Sequence, residues 1–160
     1  MAEATEVATT QEAQEEQPLQ FCTFRLDRDF YGVEILHVQE IIRPLRIFPV
    51  PATPDFLLGV INLRGNILPV VDIKRILKGK PWQLSSEAQM LILQHEALRL
   101  GLTIDAISEI AHLPPSQLEP FVPSKDDRQG KYIKSFGRLP TGELLAVVDV
   151  HRLIPDLRIR

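Results

Sequence analysis

Two aspartates, four histidines and one amide–guanidinium pair are the residues whose types and spacing could do chemistry in this chain. Asp72 and Asp149 each follow a Val-Val step and precede an apolar–basic run, Ile73-Lys74-Arg75-Ile76-Leu77 in one case and Val150-His151-Arg152-Leu153-Ile154 in the other. Two carboxylates brought together could divide acid and base work between them. The end of a strand and the start of a helix is also where an aspartate caps free backbone N–H groups, and capping is the reading adopted. His37 and Glu40 lie three apart and could offer two metal ligands on one helix face. No second Cys/His pair shares such a spacing, so an exposed helix surface is expected there and no metal. His95, His112 and His151 are scattered along the sequence. No serine sits in a nucleophile elbow, and no glycine run has the phosphate-cradling form G-x-x-x-x-G-K. An enzyme is not expected, nor a cofactor.

Asn62 and Arg64 are different, because they interrupt an apolar run. Gly59 to Asp72 reads G-V-I-N-L-R-G-N-I-L-P-V-V-D. Val60, Ile61 and Leu63 before the turn, and Ile67, Leu68, Val70 and Val71 after it, are strand formers. Gly65 beside Asn66 supplies the two residue types that most readily take positive φ, which predicts a hairpin turning on Arg64-Gly65-Asn66. Asn62 and Arg64 then fall on one face of the first strand. A rigidly held, exposed arginine is a frequent anchor of protein interfaces.

The elements that must position these residues are short. Gln20 to Leu26 and Phe30 to Ile35 read as a strand pair around an Asp27-Arg28-Asp29 turn. Leu36 to Ile42 has apolar residues near helical spacing and ends at Pro44. Pro49, Pro51 and Pro54 make the next segment extended and irregular. After the hairpin, Asp72 caps a short helix closed by Gly79, Lys80 and Pro81. Strands are expected again at Gln89 to Gln94, Leu98 to Ile104 and Ile107 to Leu113. A Pro-rich stretch from Pro114 to Pro123 and a polar loop from Ser124 to Gly130 follow. A last hairpin, Tyr132 to Leu139 with Glu143 to Val148, turns at Pro140-Thr141-Gly142.

The chain also matches itself. Gly32 to Ile41 and Gly101 to Ile110 share the pattern G-Φ-x-Φ-x-x-Φ-x-E-Φ, where Φ is aliphatic. Gly65 to Leu77 and Gly142 to Ile154 match more closely, through I-L-P-V-V-D-I-K-R-I-L against L-L-A-V-V-D-V-H-R-L-I. Two copies of one small β unit are expected, each closing into a small barrel to remove strand edges. The second copy keeps Gly142 and the V-V-D strand but has Pro140-Thr141 where the first has Leu63-Arg64. The fold then has no need of Asn62 and Arg64, which argues for a binding role.

Composition sets the remaining limits. The chain has 160 residues and is 44% apolar, enough for one compact domain or two small fused ones. Glu3, Glu6, Glu12, Glu15 and Glu16 fall in the first seventeen residues, which contain no Lys or Arg and no aromatic residue. Residues 1–17 are read as a flexible acidic tail. The rest is close to neutral, without the basic excess of a nucleic-acid-binding domain. Lys74, Arg75, Lys78 and Lys80 form the only basic cluster and read as a solvated face. A small-barrel RNA-binding protein is kept as a remote alternative. Cys22 between Phe21 and Phe24 reads as a small buried hydrophobe in a reducing compartment. Neither a secretory signal nor a membrane span is visible, so a cytoplasmic protein is expected.

Two stretches carry a family resemblance. The run F-x-L-x-x-x-x-Y-G-V-E-I-L-H-V-Q-E-I-I from Phe24, followed by P-x-T-P-D-F-L-L-G-V-I-N-L-R-G-N-I-L-P-V-V-D-I from Pro51, resembles the CheW-like family of chemotaxis coupling proteins. The match extends more loosely through L-G-L-T-I-D-A-I-S-E-I to the closing V-V-D-V-H-R-L-I. The resemblance implies a mainly β fold of two fused, intertwined five-stranded SH3-like β-barrel subdomains with short helices, over residues 18–160. It implies a non-catalytic adaptor that links the cytoplasmic tip of methyl-accepting chemoreceptors to the regulatory domain of a CheA-type histidine kinase, recruited to receptor arrays without entering the membrane. Val38, Glu40, Gly59, Asn62, Arg64 and Gly65 match the family's receptor-binding positions. Arg64 would be the polar anchor, Val38 an apolar contact, and the two glycines would allow close approach. Kinase contacts fall on the segment from about Gln117 to Ser124, with Gln117, Glu119 and Phe121 as candidates. A non-flagellar array controlling pili or surface sensing, or a detached kinase regulatory domain, would look similar.

Overall fold

In the computed structural model, residues 17–128 and 130–157 are described, so nearly all of the acidic segment, and the expectation attached to it, lies outside the described residues. The described residues form eleven strands: β1 (Leu19–Leu26), β2 (Asp29–Glu34), β3 (Val38–Ile42), β4 (Leu57–Leu63), β5 (Asn66–Val71), β6 (Gln89–His95), β7 (Leu98–Ile104), β8 (Ala106–Leu113), β9 (Glu119–Pro120), β10 (Ile133–Arg138) and β11 (Leu144–Val148). Helix α1 (Ile73–Lys78) follows β5 and helix α2 (Val150–Asp156) follows β11.

The strands make two sheets. One has six strands in the order β8-β1-β2-β11-β10-β9, and the other five in the order β3-β6-β7-β5-β4. The extra strand of the first sheet, β9, is only two residues long.

The self-match in sequence reappears as symmetry in register. In the first sheet β2 runs parallel to β11 with Gly32 opposite Val147; in the second β7 runs parallel to β5 with Gly101 opposite Val70. Gly32 and Gly101 are matched positions of the repeat, as are Val70 and Val147, so each parallel pair joins a strand of one copy to a strand of the other. The expectation that each copy closes upon itself is therefore corrected. The sheets are built by exchange between copies, in agreement with the intertwining that the resemblance implied.

The segment read as helical, Leu36 to Ile42, is another correction. Only Ile35–His37 makes a helical turn, of the 3₁₀ kind, and Val38–Ile42 is an edge strand paired to β6. Its β-branched Val38, Ile41 and Ile42 favour the pleated surface, and a short apolar run does not reveal its period.

The largest apolar cluster runs through both sheets, and each sheet has a smaller one of its own. Phe24, Leu26 and Val33 from the first pack with Leu91, Leu93, Leu100, Leu102 and Ile104 from the second, and with Ile73, Leu77, Val150 and Leu153 from the two helices. Cys22 is buried at its edge, where burial pushes the thiol up to about 11, as expected of an inert hydrophobe. The basic cluster is not a free solvated face. Lys74 is buried and bridges Asp27 at 2.7 Å and Asp105 at 2.9 Å, and Lys78 bonds Asp29. Asp27 and Asp105 thus tie the β1–β2 turn and the β7–β8 junction to α1.

Candidate functional site

The two edge strands of the five-stranded sheet, β3 and β4, stand at opposite ends of its hydrogen-bonded order. The sheet is nevertheless curled so that these edges meet. Arg64, at the tip of the β4–β5 hairpin, sends Nη1 to Glu40 Oε1 at 2.7 Å and Nη2 to Oε2 at 2.8 Å. Phe48, in the loop after β3, exchanges two backbone hydrogen bonds with Val60 of β4, at 2.8 and 2.9 Å. Backbone bonds and a forked ion pair bridge the seam, where no continuous ladder closes it.

The hairpin is tighter than the sequence suggested. Leu63 pairs with Asn66, leaving a two-residue turn of Arg64 and Gly65. Both have positive φ, 51° and 89°, which is the conformation a type I′ turn requires. Asn66, expected in the turn, is the first residue of β5. Arg64 rather than asparagine takes the left-handed position, and the turn is held by Asn62, whose Oδ1 accepts a hydrogen bond from Gly65 N at 2.8 Å. Asn62 therefore does have a task in the fold, a correction to the expectation that the fold can do without it. Its asymmetry with the second copy has a local reason: that hairpin turns through Leu139–Gly142 with Gly142 N donating to Leu139 O at 2.8 Å.

Arg64 is held in place and still presented. Its side chain is 68% exposed and that of Glu40 26%. The forked bond from Arg64 holds the Glu40 carboxyl below its usual range, and Glu40 in turn raises the guanidinium. Glu40 thus stays ionised into mild acid, leaving Arg64 with part of its donor set facing solvent. Val38 is half-buried against the common core.

Gly59 is buried and turned to φ 146°, at a bulge in the β4–β5 pairing. A Cβ there would come within 2.2 Å of Phe48 O and 2.9 Å of Pro49 Cα. The close approach that Gly59 permits is made by this chain's own loop, not at an open surface. Gly65 is exposed, and a Cβ added there would meet nothing within 4 Å.

Four exposed apolar residues on the neighbouring elements were not anticipated from the sequence. Leu36 (73% exposed), Ile67 (61%), Phe48 and Ile41 project from the 3₁₀ turn, β5, the seam loop and β3. Ile67 pairs directly with Asn62 across the hairpin.

The candidates on the other sheet are separated along the chain into three settings. Gln117 ends a 3₁₀ turn and is exposed; Glu119 is exposed in β9, opposite Phe136. Phe121 donates its N–H to Lys134 O at 2.9 Å and packs its ring edge-on to Phe136, with centroids 5.3 Å apart. It is half-buried, whereas the neighbouring Val122 is 88% exposed. Gln117, Glu119, Phe136 and Arg138 line a shallow cavity of about 370 Å³.

Asp72 and Asp149 each cap a helix. Asp72 Oδ1 accepts from Arg75 N at 3.1 Å and Oδ2 from Trp82 N at 2.9 Å, and Asp149 Oδ1 accepts from Arg152 N at 3.2 Å. The histidines do not all stay scattered. His37, His95 and His151 converge, with ring centroids 4.6 to 5.6 Å apart, while His112 is exposed on β8 away from them. Among the described residues no group of three His, Cys, Asp or Glu is arranged to hold a metal ion. No helix among them is long and apolar enough to cross a membrane.

The described residues thus form two interlocked β sheets with an exposed, forked ion pair at one seam. Residues 20–158 match the family model described as CheW-like domain, and the chain belongs to that family. It is 29% identical over 136 residues to the chemotaxis protein CheW of Klebsiella aerogenes, covering 84% of this chain and 81% of that protein. It is 27% identical over 139 residues to chemotaxis protein CheW of Thermotoga maritima, covering 86% and 89%. The crystal structure of the scaffolding protein TtCheW from Thermoanaerobacter tengcongensis superposes with a TM-score of 0.73 at 26% identity, covering 83% of this chain and 85% of that one.

Proposed function

We propose that this chain is a chemotaxis coupling adaptor, a non-catalytic protein that joins the cytoplasmic tip of a chemoreceptor to the regulatory domain of a CheA-type histidine kinase. Residues 18–160 act as one unit, working in the cytoplasm and recruited to membrane receptor arrays through those partners. The observation that carries the receptor half is the Glu40–Arg64 pair, forked at 2.7 and 2.8 Å on an exposed seam, with exposed Ile41, Phe48 and Ile67 on the elements that form that seam. A helical receptor tip offers apolar ridges flanked by polar groups, which suits such a surface.

The roles divide by environment. Arg64 is the polar anchor, Glu40 orients it, and Val38 with Ile41 and Ile67 supplies apolar contact. Gly65 keeps the hairpin tip low, and Asn62 holds its turn. Gly59 acts at one remove, by seating the loop that carries Phe48. For the kinase, Gln117 and Glu119 are the accessible contacts, and Phe121 shapes the segment that presents them.

The test is capture of a chemoreceptor cytoplasmic fragment by wild-type and Arg64→Glu protein, with circular dichroism confirming that the variant is folded. Reversal at an anchor should weaken binding by about tenfold or more. Unchanged capture by folded Arg64→Glu protein would refute the assignment.

A further inference from the structure

Three imidazoles from three different elements meet where the two sheets join. His37 ends the 3₁₀ turn that leads straight into β3, His95 ends β6, and His151 lies in the first turn of α2, behind β11 of the other sheet. The centroid separations are 5.6 Å for His37–His95, 5.1 Å for His37–His151 and 4.6 Å for His95–His151, with interplanar angles of 66°, 84° and 83°. All three contacts are therefore edge-to-face, the packing that neutral aromatic rings prefer. His37 is 6% exposed, and His151 is exposed.

We propose that the His37–His95–His151 cluster is a proton-operated latch that holds the start of β3 against α2 when neutral and releases it when charged, weakening the receptor site. This rests on the receptor reading above, since β3 carries Val38 and Glu40.

The packing crowds any second positive charge against His37. Charging any two rings puts like charges about 5 Å apart, at a junction where His37 has little contact with water. The charged groups facing His37 do not relieve this. Glu34, at the end of β2, favours its protonation, but the Glu34 carboxylate is already bonded to Lys134 of β10 at 2.7 Å, and Lys134 opposes it. Next to His95 in the chain stands Glu96 of the β6–β7 turn, and His151 is flanked by Asp149, which caps α2, and Arg152.

Burial, then His151, holds His37 below its ordinary 6.5. A group whose folded value is depressed by burial of its neutral form contributes stability above its unfolded value and loses it as the pH falls through the folded one. The latch is thus closed at neutral pH and opens on acidification below about pH 6.5. Opening frees the Ile35–His37 turn, shifts Val38, and disturbs the strand that positions Glu40 for Arg64.

The experiment is a binding titration of a receptor cytoplasmic fragment against wild type and the His95→Gln/His151→Gln variant, from about pH 7.5 down to about pH 5.5, with His151→Gln alone as the milder substitution at an exposed position. Wild type should lose about tenfold in affinity across this range, and the double variant less than about twofold. A flat wild-type profile, or the same fall in the variant, overturns the proposal. Ring NMR of the histidines reads the latch without any receptor: His37 should titrate below 6.5 in wild type and move upward in His151→Gln. An unmoved His37 overturns the latch. Should the fragment fail to bind at every pH, the receptor reading falls and the NMR titration still decides the latch.

Discussion

Arg64 and Gly59 show how differently two residues of one motif can serve one surface. Arg64 occupies a left-handed turn position at φ 51° that glycine or asparagine would fill with less strain. The conformation aims the guanidinium back across the seam to Glu40, so the strain coincides with the pre-orientation of an interface anchor. Gly59 meets backbone where a Cβ would stand, 2.2 Å from Phe48 O. Gly59→Ala should therefore cost about 3 kcal/mol or more in urea unfolding, through displacement of the Phe48 loop. Gly65→Ala, with open space around it but φ at 89°, should cost only about 1 kcal/mol. Equal losses at the two positions would show that the seam loop does not press on Gly59. The N-L-R-G run was legible in the sequence as an interruption of an apolar strand. The bond from Gly65 N to Asn62 and the fork to Glu40 were not, because both depend on a turn one residue shorter than the side-chain types suggested.

At the scale of elements, the hydrophobic alternation and the punctuation by turn residues placed most of the strands. The seven-residue run Leu98–Ile104 and the hairpins around Asp27 and Gly65 carry their periods openly. Val38–Ile42 misleads because its five residues are too few to separate a strand from a helical stripe. Both aspartates that follow V-V steps cap their helices, and the structure ranks them. Asp72 is 1% exposed and accepts from both Arg75 N and Trp82 N, whereas Asp149 is partly exposed and accepts from Arg152 N. Asp72→Ala should lower stability by about 2–3 kcal/mol, since it strands two donors at once. Asp149→Ala should lose about 1 kcal/mol. Chemical denaturation of the two variants side by side checks the order, and a larger loss at Asp149 would contradict it.

The molecule as a whole is held by exchange. The repeat was visible in sequence, but a self-match shows only that two segments are alike, not which pairs with which. The parallel pairs β2–β11 and β5–β7, in matched register, show that each sheet takes strands from both copies. The core is shared in the same way, with Phe24 and Val33 of one sheet packed among Leu93 and Leu102 of the other. Neither sheet can lose its share of this core alone. Unfolding should be one transition, with far-UV and near-UV signals coincident. Leu93→Ala, at a fully buried position, should shift that transition as a unit by about 2–5 kcal/mol. Two separated transitions would contradict a common core. The convergence of three histidines was likewise invisible in sequence, since they come from positions 37, 95 and 151 and meet only because the copies interlock.

As a coupling adaptor of the kind proposed, one small β protein would hold two partners at once. The most direct test is sedimentation velocity of the chain mixed with a chemoreceptor cytoplasmic fragment and the regulatory domain of a CheA-type kinase, each labelled at a different wavelength. A single boundary carrying both labels is expected when the chain is present, with loss of the receptor label alone from that boundary with Arg64→Glu. Receptor and kinase labels that never sediment together with the chain, or that do so equally well without it, would contradict it.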